Sequence, residues 1–182
     1  MTEGDKGTAA GPYTDAARAR LVAAYEACEL AELARAAVPI GEHELHPDGT
    51  VRSPGSVLAD AARVLRAAQR FFEAAAVFER VGGADWERVG DVLGVPAHSA
   101  RARFTTAEDR FRRGPLSPAE ATGPTGPTGP AGSLGELSWW RAYMAREPLE
   151  AALDLDDWVL RHQDGDSGLG SAPVSGGLAR KR

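Results

Sequence analysis

The sequence predicts an all-α fold: a small helical bundle ending in a helix-turn-helix, followed by a disordered linker and two short helices. Three observations predict it. Apolar positions are filled mainly by Ala, the strongest helix former, with some Leu, Val and Phe. Runs of Val, Ile and Thr, which favour strands, are scarce. The apolar residues recur at three- and four-residue steps over long windows, as on one face of a helix.

The first helix is expected from Thr14 or Asp15, either of which can cap it, to about Val38, where Pro39 stops it. Ala17, Leu21, Ala24, Cys28 and Ala31 form its apolar stripe. Pro47-Asp48-Gly49 is a turn signal, because Pro presets one dihedral and Gly accepts a positive one. A long helix starts at Ser53-Pro54 or Ser56. Val57, Val64, Phe71 and Phe78 recur every seven residues along it, and Leu58, Leu65 and Phe72 widen the stripe. This stripe is assigned to the core. Gly82-Gly83 ends the helix.

Asp85 then caps a short helix, Trp86 to Leu93, and Gly94-Val95-Pro96 makes a turn into a helix from about Ala97 towards Arg113. The expected organisation is a disordered leader (1–12), a helical domain (13–113) and a Gly/Pro linker (114–135). A short helical segment (136–163) and a disordered tail (164–182) follow. Gly-Pro-Thr repeats at 123–130 make the linker an extended spacer, since three units cannot form a collagen triple helix.

The single cysteine, Cys28, excludes an intrachain disulfide and a cysteine zinc site. It lies on an apolar stripe, as a buried small hydrophobe would. No apolar run approaches the roughly 20 residues of a membrane span, and Met1 to Gly11 lacks the apolar stretch of a secretory leader. A cytoplasmic protein is expected. His43 and His46 flank a turn with no third histidine nearby, so a solvated loop is expected there and no metal site. No carboxylate pair, nucleophile–base set or phosphate loop appears in a supporting context, so neither an enzyme nor a cofactor is expected.

The net charge of −5 argues against nucleic acid, but its distribution does not: residues 1–56 carry −4, 57–113 carry +2 and 114–182 carry −3. Phosphate attraction is set locally, within a Debye length of about 10 Å.

Inside the positive section, residues 86–104 place particular side chains at particular offsets. Val89 and Leu93 face the core. Gly90 lies where a second helix must come close, and Gly94 lies where the turn needs a left-handed backbone. Val95 is expected to plug the core, and Ala100 and Phe104 continue the inner face. The outer face then carries His98, Arg101, Ala102 and Thr105. Such a face enters the major groove of double-stranded DNA, where an arginine pairs bidentately with guanine. Arg103 lies off that face, suited to a phosphate or to an acid such as Glu87. Arg110, Arg112 and Arg113 are placed for backbone phosphate.

Trp86-Glu87-Arg88-Val89-Gly90, Leu93-Gly94-Val95 and Ala100-Arg101-Ala102-Arg103-Phe104 together resemble the helix-turn-helix of actinobacterial DNA-binding proteins and, more loosely, region 4 of sigma factors. The match covers residues 86–104, and more when the preceding long helix is included. Pro96 and Ala97 stand where such proteins often carry a serine and then an arginine or glutamine. The resemblance implies a transcriptional regulator.

The alternative reading is a protein-interaction adaptor, in which Trp139, Trp140 and Trp158 anchor a protein partner on residues 136–163 and the helix-turn-helix is scaffold. An acidic run, Asp154 to Asp157, also suggests a segment that folds back on the basic helix and competes with DNA. A homodimer is a further expectation for a helix-turn-helix protein, although the Val57–Phe78 stripe leaves no heptad seam free for it.

Overall fold

The computed structural model describes residues 12–113, 140, 143–163 and 168–180. The leader to residue 11, the linker and Trp139 lie outside the described residues. The fold is all-α. Among the described residues five helices have both ends placed: α1 (Asp15–Ala36), α2 (Ser56–Val81), α3 (Trp86–Leu93), α4 (Ala97–Arg113) and α5 (Pro148–His162); residues 140 and 143–146 are helical as well. Among the described residues β-pairing is limited to two isolated bridges, Leu45 with Val51 and Tyr13 with Arg180. No helix of the described residues is long and apolar enough to cross a membrane.

Thr14 starts α1, its side chain accepting a hydrogen bond from the Ala17 amide at 3.2 Å. α1 runs back along α2 through a loop in which Pro47-Asp48-Gly49 turns the chain. Gly49 adopts a φ of 82°, and the Asp48 carboxylate accepts from the amide (2.9 Å) and hydroxyl (2.6 Å) of Thr50. Those two bonds stabilise its ionised form and hold its pKa below the usual carboxylate value.

Two apolar clusters form, one built on α2 and one on α1. The first joins Ala76 of α2 to Val89 of α3 and to Ala100 and Phe104 of α4. The second joins Leu21 and Tyr25 of α1 to Met144, to Ala151, Ala152 and Leu155 of α5, and to Val174. Between them, Glu26 of α1, 1% exposed, accepts from Arg70 of α2 at 2.9 Å.

Three sequence expectations need correction. Residues 143–163 are not a segment apart from the helical domain: α5 packs on α1 and supplies Ala151, Ala152 and Leu155 to the second cluster. α1 therefore buries a wider arc than a single stripe, including Ala19, Tyr25 and Glu26. The physical reason is that α1 is covered by α2 on one side and by α5 on another.

The tail expected to be disordered is folded over 168–180. Val174 is buried in the second cluster. Arg20 donates to the carbonyls of Pro173 (2.8 Å) and Val174 (3.0 Å), and the Thr14 amide donates to the carbonyl of Ala179 (3.0 Å). Asp156 accepts from the amides of Val174 (2.6 Å) and Ser175 (3.1 Å) and from the Ser175 hydroxyl.

Finally, the α2 stripe is not buried along its whole length. Leu58 is 74% exposed and Leu65 60%, and Val57 is also open. α3 and α4 cover only the C-terminal half of that face, where Phe72 and Ala76 lie.

Candidate nucleic-acid interface

The connection between α3 and α4 is built from backbone contacts. Asp85 caps α3, its carboxylate accepting from the Arg88 amide at 2.7 Å. Gly94 ends α3 in the left-handed region with φ 64°, where a Cβ carries a steric penalty. The Val95 amide then donates to the Gly90 carbonyl at 3.0 Å. A Cβ on Gly90 would stand 2.6 Å from the Val95 carbonyl oxygen and 3.2 Å from the Ala97 nitrogen, so only glycine fits this approach. Val95 itself is 39% exposed. It does not plug the core, because the turn is tight enough that its backbone, not its side chain, meets α3.

Ala100 and Phe104 are fully enclosed on the inner face of α4. Phe104 meets Phe72 edge-on, with ring centroids 5.3 Å apart. Val89 is buried in the same cluster, and Leu93 packs at its edge.

On the outer face His98, Arg101 and Ala102 are exposed, while Thr105 is half-buried and donates to the Arg101 carbonyl at 2.7 Å. The arginines divide sharply. The Arg103 guanidinium lies 4.8 Å from the Phe72 ring centroid and 5.4 Å from that of Phe104, so it covers the core edge and pairs with no Glu87. Arg112 donates to Glu108 at 2.6 Å. Arg113 donates to the carbonyl of Asp109 at 3.2 Å. Among the described residues, Arg88, Arg101 and Arg110 form no ion pair.

Sequence reasoning missed Arg80. From the end of α2 it donates to Glu108 of α4 (3.3 Å) and to the Ala84 carbonyl, and its guanidinium stacks 4.2 Å over Trp86 of α3. One side chain thereby ties α2, α3 and α4 together. No local sequence signal marks it, because its acid partner lies 28 residues away. A second feature missed is a surface depression between the first turns of α3 and α4, lined by Asp85, Trp86, Glu87, Ala97, His98 and Arg101.

The tryptophans assigned to a partner are engaged within the chain where they are described. Trp140 is half-buried against Tyr25 (5.0 Å) and Tyr143 (5.3 Å). Trp158 donates to Glu32 of α1 at 2.6 Å and stacks on His162. Of the acidic run, Asp154 accepts from Tyr143, Asp156 holds the tail and Asp157 pairs with Arg161. α5 packs on α1, not on α4. Cys28 is half-buried, and its thiol is pushed up to about 11 by burial and then by the charge of Glu29. Compared with protein-family models, curated proteins and solved structures, the chain matches none.

Proposed function

We propose that this chain binds double-stranded DNA as a helix-turn-helix protein, acting in the cytoplasm as a transcriptional regulator. The first turns of α4 enter the major groove. His98 and Arg101 face base edges, with Ala102 and Thr105 beside them, and Arg88, Arg110 and Arg113 lie towards phosphates. The likeness of residues 86–104 to actinobacterial regulators belongs to the same reading.

The observation that carries it is the state of Arg101. It stands exposed on α4 with no acid partner among the described residues, while its neighbours Arg103 and Arg112 are engaged internally. A guanidinium left free on a rigid helix is preorganised for bidentate pairing with guanine. Asp85 and Glu87 at the start of α3 oppose a phosphate there, so the phosphate contacts fall to Arg88 and to the end of α4.

The adaptor reading is not favoured, because Trp140 and Trp158 are spent on contacts with Tyr25 and Glu32. Competition for α4 by the acidic run is not favoured either, since those carboxylates hold Tyr143, Ser175 and Arg161. A second copy of the chain would supply a second α4 for a two-fold site.

The test is fluorescence anisotropy of the full chain against labelled duplex DNA at two salt concentrations. About three phosphate contacts predict log affinity falling with log salt at a slope near −3. Absence of binding at low salt rejects the reading.

A further inference from the structure

The depression between α3 and α4 holds a carboxylate that the DNA reading leaves unexplained. Trp86 and Ala97 line it, and Trp86 is held in place by the stacked Arg80 guanidinium. Asp85 is committed to the α3 cap through the Arg88 amide. His98 and Arg101 line it from α4. Glu87, from α3, is exposed, and among the described residues it pairs neither with Arg101 nor with any other base. One free acid and one free guanidinium thus share a single surface.

A carboxylate on a surface that approaches phosphates is repelled unless it accepts a hydrogen bond there. In the major groove the available donors are the amino groups of cytosine and adenine. Adenine presents its N7 acceptor beside that amino group, and N7 repels a carboxylate. Cytosine presents the amino group with no acceptor beside it on the outer side of the groove. The partner of cytosine is guanine, the base that an arginine takes through O6 and N7. An acid and an arginine side by side are therefore matched to the two edges of G·C pairs.

We propose that Glu87 is a specificity-determining residue that accepts from the N4 amino group of a cytosine adjoining the guanine bound by Arg101, so that the site selects G·C steps. This rests on the DNA-binding reading.

The experiment is selection of duplexes from a random pool by the full chain, followed by anisotropy on the selected site and on single-base variants of it, for wild type, Glu87→Gln and Asp85→Asn. Glu87→Gln is expected to lose at least about fivefold of the discrimination at one cytosine, the low end for a base contact. It should also bind unselected duplex more tightly, because a repelling charge is gone. Asp85→Asn, which keeps a capping side chain, should leave the base preference unchanged.

An unchanged preference in Glu87→Gln overturns the proposal. So does a loss confined to the guanine, which would make Glu87 a residue that only orients Arg101. If wild type selects no duplex and binds none at low salt, the DNA reading falls, and this proposal with it.

Discussion

The carbonyl oxygen of Val95 lies 2.6 Å from the position a Cβ would occupy on Gly90, and this contact sets how closely α4 can follow α3. It also gives a test of opposing effects. In an unconstrained helix, Gly→Ala stabilises by about 1 kcal/mol. Here the methyl group meets backbone, which cannot rotate away. Overpacking costs about 1–3 kcal/mol, and the strain should win. Gly90→Ala is expected to lower stability by up to about 2 kcal/mol net, read by urea denaturation. A gain would show that the turn can open.

Arg80 and Arg112 both pair with Glu108, but in different surroundings. Arg80 is the more enclosed of the two, at 20% side-chain exposure against 59% for Arg112. Arg112→Ala should cost under about 1 kcal/mol, as for an exposed ion pair. Arg80→Ala also removes the bond to the Ala84 carbonyl and the stack on Trp86. It leaves a buried carboxylate with one solvent-facing partner, and should cost about 3 kcal/mol. Equal losses from the two variants in thermal unfolding would contradict the assignment of Arg80 as the joint.

Arg101 and Arg103 are two residues apart and should fail in opposite ways. Arg103 covers the Phe72 ring, so Arg103→Ala should destabilise by roughly 1 kcal/mol through lost packing and cation–π contact. Among the described residues the Arg101 side chain makes no hydrogen bond, ion pair or ring contact, and Arg101→Ala should leave the melting temperature unchanged. On the DNA reading, Arg101→Ala weakens binding by about 1–3 kcal/mol and relaxes base preference. Calorimetry paired with anisotropy separates them, and a loss of stability in Arg101→Ala would undo the distinction.

These contrasts show what the sequence could and could not carry. The limits of α3 were legible because Asp85 and Gly94 act within a few residues of themselves. The inner face of α4 was legible because Ala100 and Phe104 keep helical spacing with Val89 and Leu93 across the turn. Which arginines are free was not legible. That depends on Phe72 lying under Arg103, and on Glu108 lying beside Arg80, across distances in sequence that no local pattern marks. The folded tail was hidden for a related reason. It is held by backbone amides and carbonyls and one buried valine, and its Gly- and Ser-rich composition gives no sign of them. The open N-terminal half of α2 was misjudged because a stripe records apolar character, not the length of the partner that covers it.

Cys28 gives a pH-dependent prediction. Burial, with Glu29 and Glu32 nearby, favours the neutral thiol and raises its pKa to about 11. The stabilisation this represents is fully present below the unfolded thiol value and is lost as pH rises through 11. Only the thiolate is nucleophilic. Alkylation of the native chain at pH 8 should therefore run roughly a hundredfold slower than alkylation of the urea-unfolded chain, for a shift of about two units. The native rate should climb between pH 9 and 11. A native rate equal to the unfolded rate at pH 8 would mean that α5 leaves α1 readily, since α5 helps to shield this thiol.

Asp156 is nearly enclosed, and its two oxygens receive the amides of Val174 and Ser175 and the Ser175 hydroxyl. Nothing else among the described residues accepts from those two amides, so the carboxylate substitutes for water that the buried position excludes. Asp156→Asn keeps the shape and one acceptor oxygen but removes the charge. It should cost about 1.5–3 kcal/mol, as for hydrogen bonds to a charged group. The loss should be local. Amides 174–178 should exchange with deuterium much faster, while those of α3 and α4, which belong to the other apolar cluster, should keep their protection. Arg20→Ala removes the second tether, to the carbonyls of Pro173 and Val174, and should loosen the same amides. If either variant also deprotects α4, the two clusters form one cooperative unit, and the tail on α1 then supports the proposed DNA-binding helix.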